Sequence, residues 1–214
     1  MTHSKTMPAY RYADGSHNCS HDYLLPVLRR ELNAWRACQS SLSPRLFDLG
    51  CGNGSVGAIL ADDGWSVTGV DPSPEGIAAA RSVFPQIDVH QGSAYDDLAS
   101  EYGGFPVVIS LEVVEHVYAP RAYASTLFDL VEPGGKAYIS TPFHGYFKNL
   151  ALALSGRMDA HFTALWDSGH IKFWSHRTLG QLLSEAGFTK IRFVNVGRVP
   201  PLAKSMIAIA KKVD

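Results

Sequence analysis

The stretch 48–54 (DLGCGNG) sets glycines at every second position, Gly50, Gly52 and Gly54, between a run that reads as a strand and one that reads as a helix. Glycine lacks a Cβ, so such a bend can turn sharply and let another molecule approach the backbone. A plain glycine turn between two elements is the simpler reading of the same residues. Either way the unit needs a sheet to sit in. The rest of the chain supplies it, because short β-rich runs alternate with helical patterns, as in a parallel sheet covered by helices.

The patterns predict strands over 45–50, 66–71, 87–91, 107–111 and 136–141, with helices over 56–62, 74–84 and 121–131 between them. A first helix is expected over 22–38, with Leu24, Leu25, Leu28, Leu32 and Trp35 on one face. The strand over 107–111 is apolar throughout, as burial on both faces requires. Glu132-Pro-Gly-Gly135 is a turn signal that should end the preceding helix. A last helix over 178–186 precedes two strands, 191–196 and 205–210. No helix separates these two, so antiparallel pairing is expected.

The chain of 214 residues suits one domain: a flap and helix over 1–40, a binding core over 45–142, an insertion over 143–176 and a C-terminal helix and strand hairpin over 177–214. Hydrophobic residues make up 46% and charged residues 18%, a globular balance, and the formal charge of -1 offers nucleic acid no electrostatic footprint. Cys19, Cys38 and Cys51 form no CxxC, so neither a disulfide framework nor a zinc site is suggested. The polar N-terminus and the lack of a long apolar run lead us to expect a cytoplasmic protein without a transmembrane segment.

Asp71 should end the second strand, about twenty residues past the first glycine. An acid at that place can accept hydrogen bonds from both hydroxyls of a ribose; it could also cap the next helix ahead of Pro72 and Pro74. The string from Gly52 to Gly57 also matches GxGxxG, so a nicotinamide-dependent oxidoreductase is an alternative. Against it stand the acidic FDLGCGNG context, the short chain and the closing hairpin.

The strings FDLGCGNG, VTGVDPS, QGSAYDDL, SLEVVEHV and VEPGGKAYISTP together resemble, in order and spacing, the motifs of class I S-adenosylmethionine-dependent methyltransferases. EVVEHV and GHIKFWS look closest to the ubiquinone-biosynthesis O-methyltransferase branch. The resemblance covers 46–188 and implies a Rossmann-like, doubly wound seven-stranded α/β sheet, mostly parallel with an antiparallel C-terminal strand. It implies that Gly50, Cys51, Gly52, Asn53 and Gly54 pass under the methionine and ribose of S-adenosyl-L-methionine. Asp48 would hold the bend and the methionine amine. Asp71 would bind the ribose, with Pro72 and Ser73 beside the adenine. Ser93 and Ala94 would approach the adenine edge, where many relatives carry Asp in place of Ser93. Leu111 and Glu112 would flank the cofactor.

Glu112, Glu115 and His116 follow the fourth strand, where ligands gather in such sheets. In the family the corresponding residues are reported to bind a divalent cation; the alternative is that Glu112 bonds the glycine bend, Glu115 caps or pairs, and His116 orients the loop. The insertion over 143–176 is rich in aromatics and histidines, and a substrate lid or a small satellite core would each account for it. His116 and His170 are the expected bases. The expected reaction is methyl transfer to a small molecule, most simply O-methylation of a hydroxyl. A non-catalytic S-adenosylmethionine-binding module is the reading from another class. The N-terminal segment 10–23 could form a second flap. Apolar residues beside Lys and Arg over 148–154 and 200–209 permit peripheral membrane contact, though a helix face and a core strand account for them more simply.

Overall fold

The computed structural model describes residues 21–39, 44–167 and 169–213. Cys19 and the expected flap ahead of residue 21 lie outside them. Seven strands form one sheet in the order β3-β2-β1-β4-β5-β7-β6. β1 (Arg45–Leu49), β2 (Ser66–Asp71), β3 (Asp88–Gln91), β4 (Phe105–Leu111) and β5 (Val131–Pro142) pair in parallel. β7 (Ser205–Lys211) runs antiparallel between β5 and β6 (Thr189–Val196). The sheet is thus the doubly wound one expected, with its antiparallel strand at the C-terminus.

The alternation of side chains along the strands makes two cores. Val107, Ile109 and Leu111 of β4 face the core beneath α1 (His21–Ala37), α2 (Ser55–Asp62) and α3 (Pro74–Val83). Val108 faces the opposite core, with Phe105 joining it because the register shifts between Phe105 and Val107. That second core is closed by α4 (Leu98–Tyr102), α5 (Pro120–Leu130) and α8 (His176–Glu185). β7 repeats the pattern, sending Ile207 and Ile209 one way and Met206 and Ala208 the other. Period-two burial on both faces is what a central strand needs.

The structure departs from the sequence reading in three places. α4 was not anticipated; five residues capped by Asp97, whose side chain accepts from Ser100 N at 3.4 Å, are too few to show a helical period. α5 stops at Leu130, and β5 begins at Val131 by pairing with Phe105, so Glu132-Pro-Gly-Gly lies within an irregular strand rather than in a connecting turn. The insertion carries two short helices, α6 (Tyr146–Leu154) and α7 (Met158–Phe162). α6 is a helix, as expected of 148–154, but none of its side chains is fully buried. Met206–Ile209, in contrast, is core strand. The insertion is fastened at its base: Phe143 bridges Trp174, His144 N donates to Trp174 O at 2.9 Å, and Trp174 Nε1 donates to Val114 O at 3.0 Å.

Candidate active site

The topological switch lies between β1 and β4, whose chains leave the sheet in opposite directions. A crevice must open there at the carboxyl ends of the strands. On its floor Gly50, Gly52 and Gly54 take φ of 89°, 55° and 76°, the left-handed region that glycine enters without strain. Gly50 N and Cys51 N both donate to Val70 O, at 2.8 and 3.0 Å, which fastens the bend to β2. Beneath it a Cβ at Gly54 would stand 2.8 Å from both Ala80 and Ile87. Cys51 is packed over Gly69, and burial pushes its thiol well above the ordinary range, so it acts as a small apolar side chain.

Asp71 lies beside this bend. Its Oδ2 accepts from Gly52 N at 2.9 Å and its Oδ1 from Ser73 N at 2.8 Å. A carboxylate has about four acceptor sites, so each oxygen keeps one for a ligand. Ser73, not Asp71, caps α3, accepting from Gly76 N at 3.1 Å. Asp48 is buried behind the bend, and burial together with the Asp71 charge raises its pKa to about 7. Ser93 N donates to Asp96 Oδ2 at 2.7 Å, so the carboxylate of this stretch is turned back onto its own backbone.

Glu112 follows β4 with φ 55°, a conformation that costs a side-chain-bearing residue about 1–2 kcal/mol. Ser140 holds it there: Glu112 N donates to Ser140 O at 3.1 Å, and the Ser140 hydroxyl donates to Glu112 Oε1 at 2.8 Å. Its hydrogen bonds thus run to β5 rather than to the glycine bend. Burial raises its pKa to about 7. Glu115 is 1% exposed, and neither carboxylate oxygen has a hydrogen-bond partner. Burial and the Glu112 charge push its pKa well up.

The candidate base His170 sits with its Nε2 4.0 Å from Glu115 Oε1. Its ring meets His116 edge-on at 5.0 Å between centroids, and His116 Nδ1 pairs with Gly169 O at 3.2 Å. Burial, then the charges of His116, His161 and Lys148, lower the His170 pKa to about 4, so it is neutral at pH 7. Among the described residues the group with metal-ligating spacing is Glu115, His116 and His170, their ligand atoms all within 4.8 Å of one another. The expected set had Glu112 in place of His170. A buried carboxylate without a donor, beside two imidazoles, is a donor set that suits a divalent cation.

One cavity of about 1430 Å³ joins these parts. It exceeds the roughly 300–1,000 Å³ that single small ligands need. Every expected cofactor residue except Gly54 lines it, as do His116 and His170. Gly54 packs beneath the bend instead, and Glu115 lies behind the wall. The sequence reading had not singled out His144, which lines the far side. Its Nδ1 is buried without a partner, its ring stacks on Phe162, and burial lowers its pKa to about 4. Its place just past the carboxyl end of β5 was the signal that could have marked it.

A glycine bend and a carboxylate at the switch point of a sheet that ends on an antiparallel strand fit the class I adenosylmethionine-dependent methyltransferases. The chain belongs to that family: residues 21–192 match the family described as a methyltransferase domain. It is 28% identical over 160 residues to a ubiquinone biosynthesis O-methyltransferase of Aromatoleum aromaticum, covering 73% of this chain and 68% of that protein. To the enzyme of the same name from Azorhizobium caulinodans it is 35% identical over 153 residues, covering 67% and 58%. The chain therefore spans little more than half to two thirds of the length of these relatives. The fold matches a SAM-dependent methyltransferase of Methanosarcina mazei with a TM-score of 0.59 at 20% identity, covering 79% of this chain and 92% of that one. It matches the CurJ carbon methyltransferase with a TM-score of 0.65 at 15% identity, covering 88% and 54%. Among the described residues no helix is long and apolar enough to cross a membrane.

Proposed function

We propose that this methyltransferase O-methylates a hydroxyl of a small molecule bound in the half of the cavity walled by the insertion. The observation that carries this reading is the single cavity, which joins the glycine bend to His116 and His170 without a partition. Asp71 would take the ribose hydroxyls on its free acceptor sites, and Asp48 and Glu112 the charged methionine end. Pro72, Ser73, Ser93, Ala94 and Leu111 would line the adenine and thioether. S-adenosyl-L-methionine supplies a methyl on a sulfonium, which leaves with the bonding pair as a neutral thioether.

The protein's part is then alignment and proton removal. Holding the acceptor oxygen in line contributes several kcal/mol. A hydroxyl is a weak nucleophile until its proton leaves, and His116 or His170 accepts that proton on a ring nitrogen. His170 is neutral at pH 7 and so keeps a free lone pair, although burial disfavours its protonated form. Alternatively, Glu115, His116 and His170 would hold a divalent cation, and such an ion would lower the hydroxyl pKa in place of a histidine base.

The domain reading follows the same division, with 45–142 as the cofactor core, 143–176 as the acceptor lid and 177–214 completing the sheet. Against hydride transfer, the sheet ends on antiparallel β7 instead of continuing into a second dinucleotide half.

The test is turnover with catechol-type acceptors. His116→Gln and His170→Gln should lower kcat by about 10²–10⁴ at the position that supplies the base, with adenosylhomocysteine affinity kept. EDTA should abolish turnover, restored by one cation, if the trio is loaded. Full activity in both variants would remove the histidine base; chelator-insensitive turnover would remove the metal.

A further inference from the structure

The acceptor side of the cavity carries Lys148, Arg157, Arg198 and Lys204. They come from α6, from the α6–α7 turn and from the β6–β7 connection, so three separate segments bring positive charge to one cavity. Elsewhere several arginines are matched, Arg29 with Asp63, Arg45 with Glu132, Arg121 with Glu185 and Arg192 with Glu31, while Arg36 and Arg81 donate to backbone carbonyls. Among the described residues none of the four cavity cations pairs with a carboxylate in this way. The lining acids lie mostly at the strand ends, as Asp48, Asp71 and Glu112, with Asp167 alone on the insertion.

Lys148 is the most constrained of the four. Its Nζ donates to Phe143 O at 2.9 Å and to Lys204 O at 3.4 Å, which leaves one of its three protons undirected. Burial and the Arg198 charge lower its pKa, while Glu112 acts the other way. Cations gathered in a cleft repel one another and raise the local concentration of anions. A ligand that brings the missing negative charge recovers the electrostatic cost.

We propose that the methyl acceptor is an anion, bearing a carboxylate or a phosphate ester that seats between Lys148 and Arg198 while its hydroxyl faces His116 and His170. This rests on the reading of the cavity as a methyltransferase acceptor site. The cofactor has a carboxylate of its own, so the cations must be tested with that carboxylate already in place.

The experiment is calorimetric titration of the full chain, saturated with adenosylhomocysteine, using benzoate, phenyl phosphate and the neutral phenol as probes. One or both anions should bind at least tenfold more tightly than phenol, about 1.4 kcal/mol, and the preference should weaken with salt. The tighter of the two anions identifies carboxylate or phosphate. Arg198→Gln, at an exposed position that folding tolerates, should reduce the preference to threefold or less, and Lys148→Gln should do the same. Arg30→Gln, on the outer face of α1, should leave it intact. Equal binding of anions and phenol would overturn the proposal. So would a preference that survives both cavity variants, or variants that weaken adenosylhomocysteine alone, which would assign the cations to the cofactor. Failure of adenosylhomocysteine itself to bind would instead overturn the cofactor reading beneath.

Discussion

At the ends of β1, β2 and β4 the cavity wall is buried backbone and buried carboxylate: Asp48, Cys51, Asn53, Asp71 and Ser73 are nearly inaccessible. Across the same space α6 and α7 bury no side chain fully, and Tyr146, Phe147, Leu154 and Leu165 stand open. The first wall is shaped by the core beneath it, since Gly54 rests on Ala80 and Ile87 and Gly69 admits Cys51. The second is shaped by rings leaning on one another, His144 on Phe162 and Phe173, and Phe162 on Phe173. A cofactor of fixed shape suits a site that cannot relax. A wall that hangs from the neck at Phe143 and Trp174 can change its side chains without disturbing the sheet.

If that contrast is real, substitutions on the two walls should differ sharply. Gly54→Val forces a branched side chain into the left-handed region and against Ala80 and Ile87. It should destabilise the fold by about 3–5 kcal/mol in denaturant titration. A near-native midpoint would mean the bend is not held by the core.

The buried carboxylates give a second contrast, in pH. Asp48 has a folded pKa of about 7 against 3.8 in its ordinary state. A raised folded pKa means the native state keeps a proton that the unfolded chain has released. Its contribution is therefore complete below about pH 4 and is lost as pH rises through about 7. Glu112, also about 7, adds in the same direction. Ligand-free stability should fall by on the order of 2–4 kcal/mol between pH 4 and 7 from Asp48, and Asp48→Asn should flatten the slope. A slope unchanged by that substitution would mean the site is wet enough to ionise freely.

Smaller effects separate the walls further. Ser73→Ala removes the cap of α3 and should cost about 1 kcal/mol. Leu154→Ser, at a position 80% exposed, should change stability by less than about 0.5 kcal/mol. A large loss there would show that α6 is packed in solution against something.

The same contrast explains what could be read from the sequence. β2 lies over 66–71 as expected, and the crossing strands follow from apolar runs punctuated by glycine, because core burial imposes a period. Asp71 and the bend were legible because covalent order fixes them at adjacent strand ends. The insertion carries no such period. Its aromatics announced a wall, but the meeting of His170 with Glu115 and His116 joins residues more than fifty positions apart, and no local pattern encodes that. Glu112 shows the limit in another way: the acid was recognised, but its partner Ser140 comes from the neighbouring strand by register alone. Lys148 was read only as a charge beside an apolar helix face and Arg198 was passed over, since each reads singly as a solvated charge.

The most direct test of the cofactor seat is calorimetric titration of adenosylhomocysteine into the native protein and into folded Asp71→Ala. The diol contact predicts binding to the native chain and at least a tenfold loss in the variant, about 1.4 kcal/mol. Equal affinity in the two proteins would contradict it.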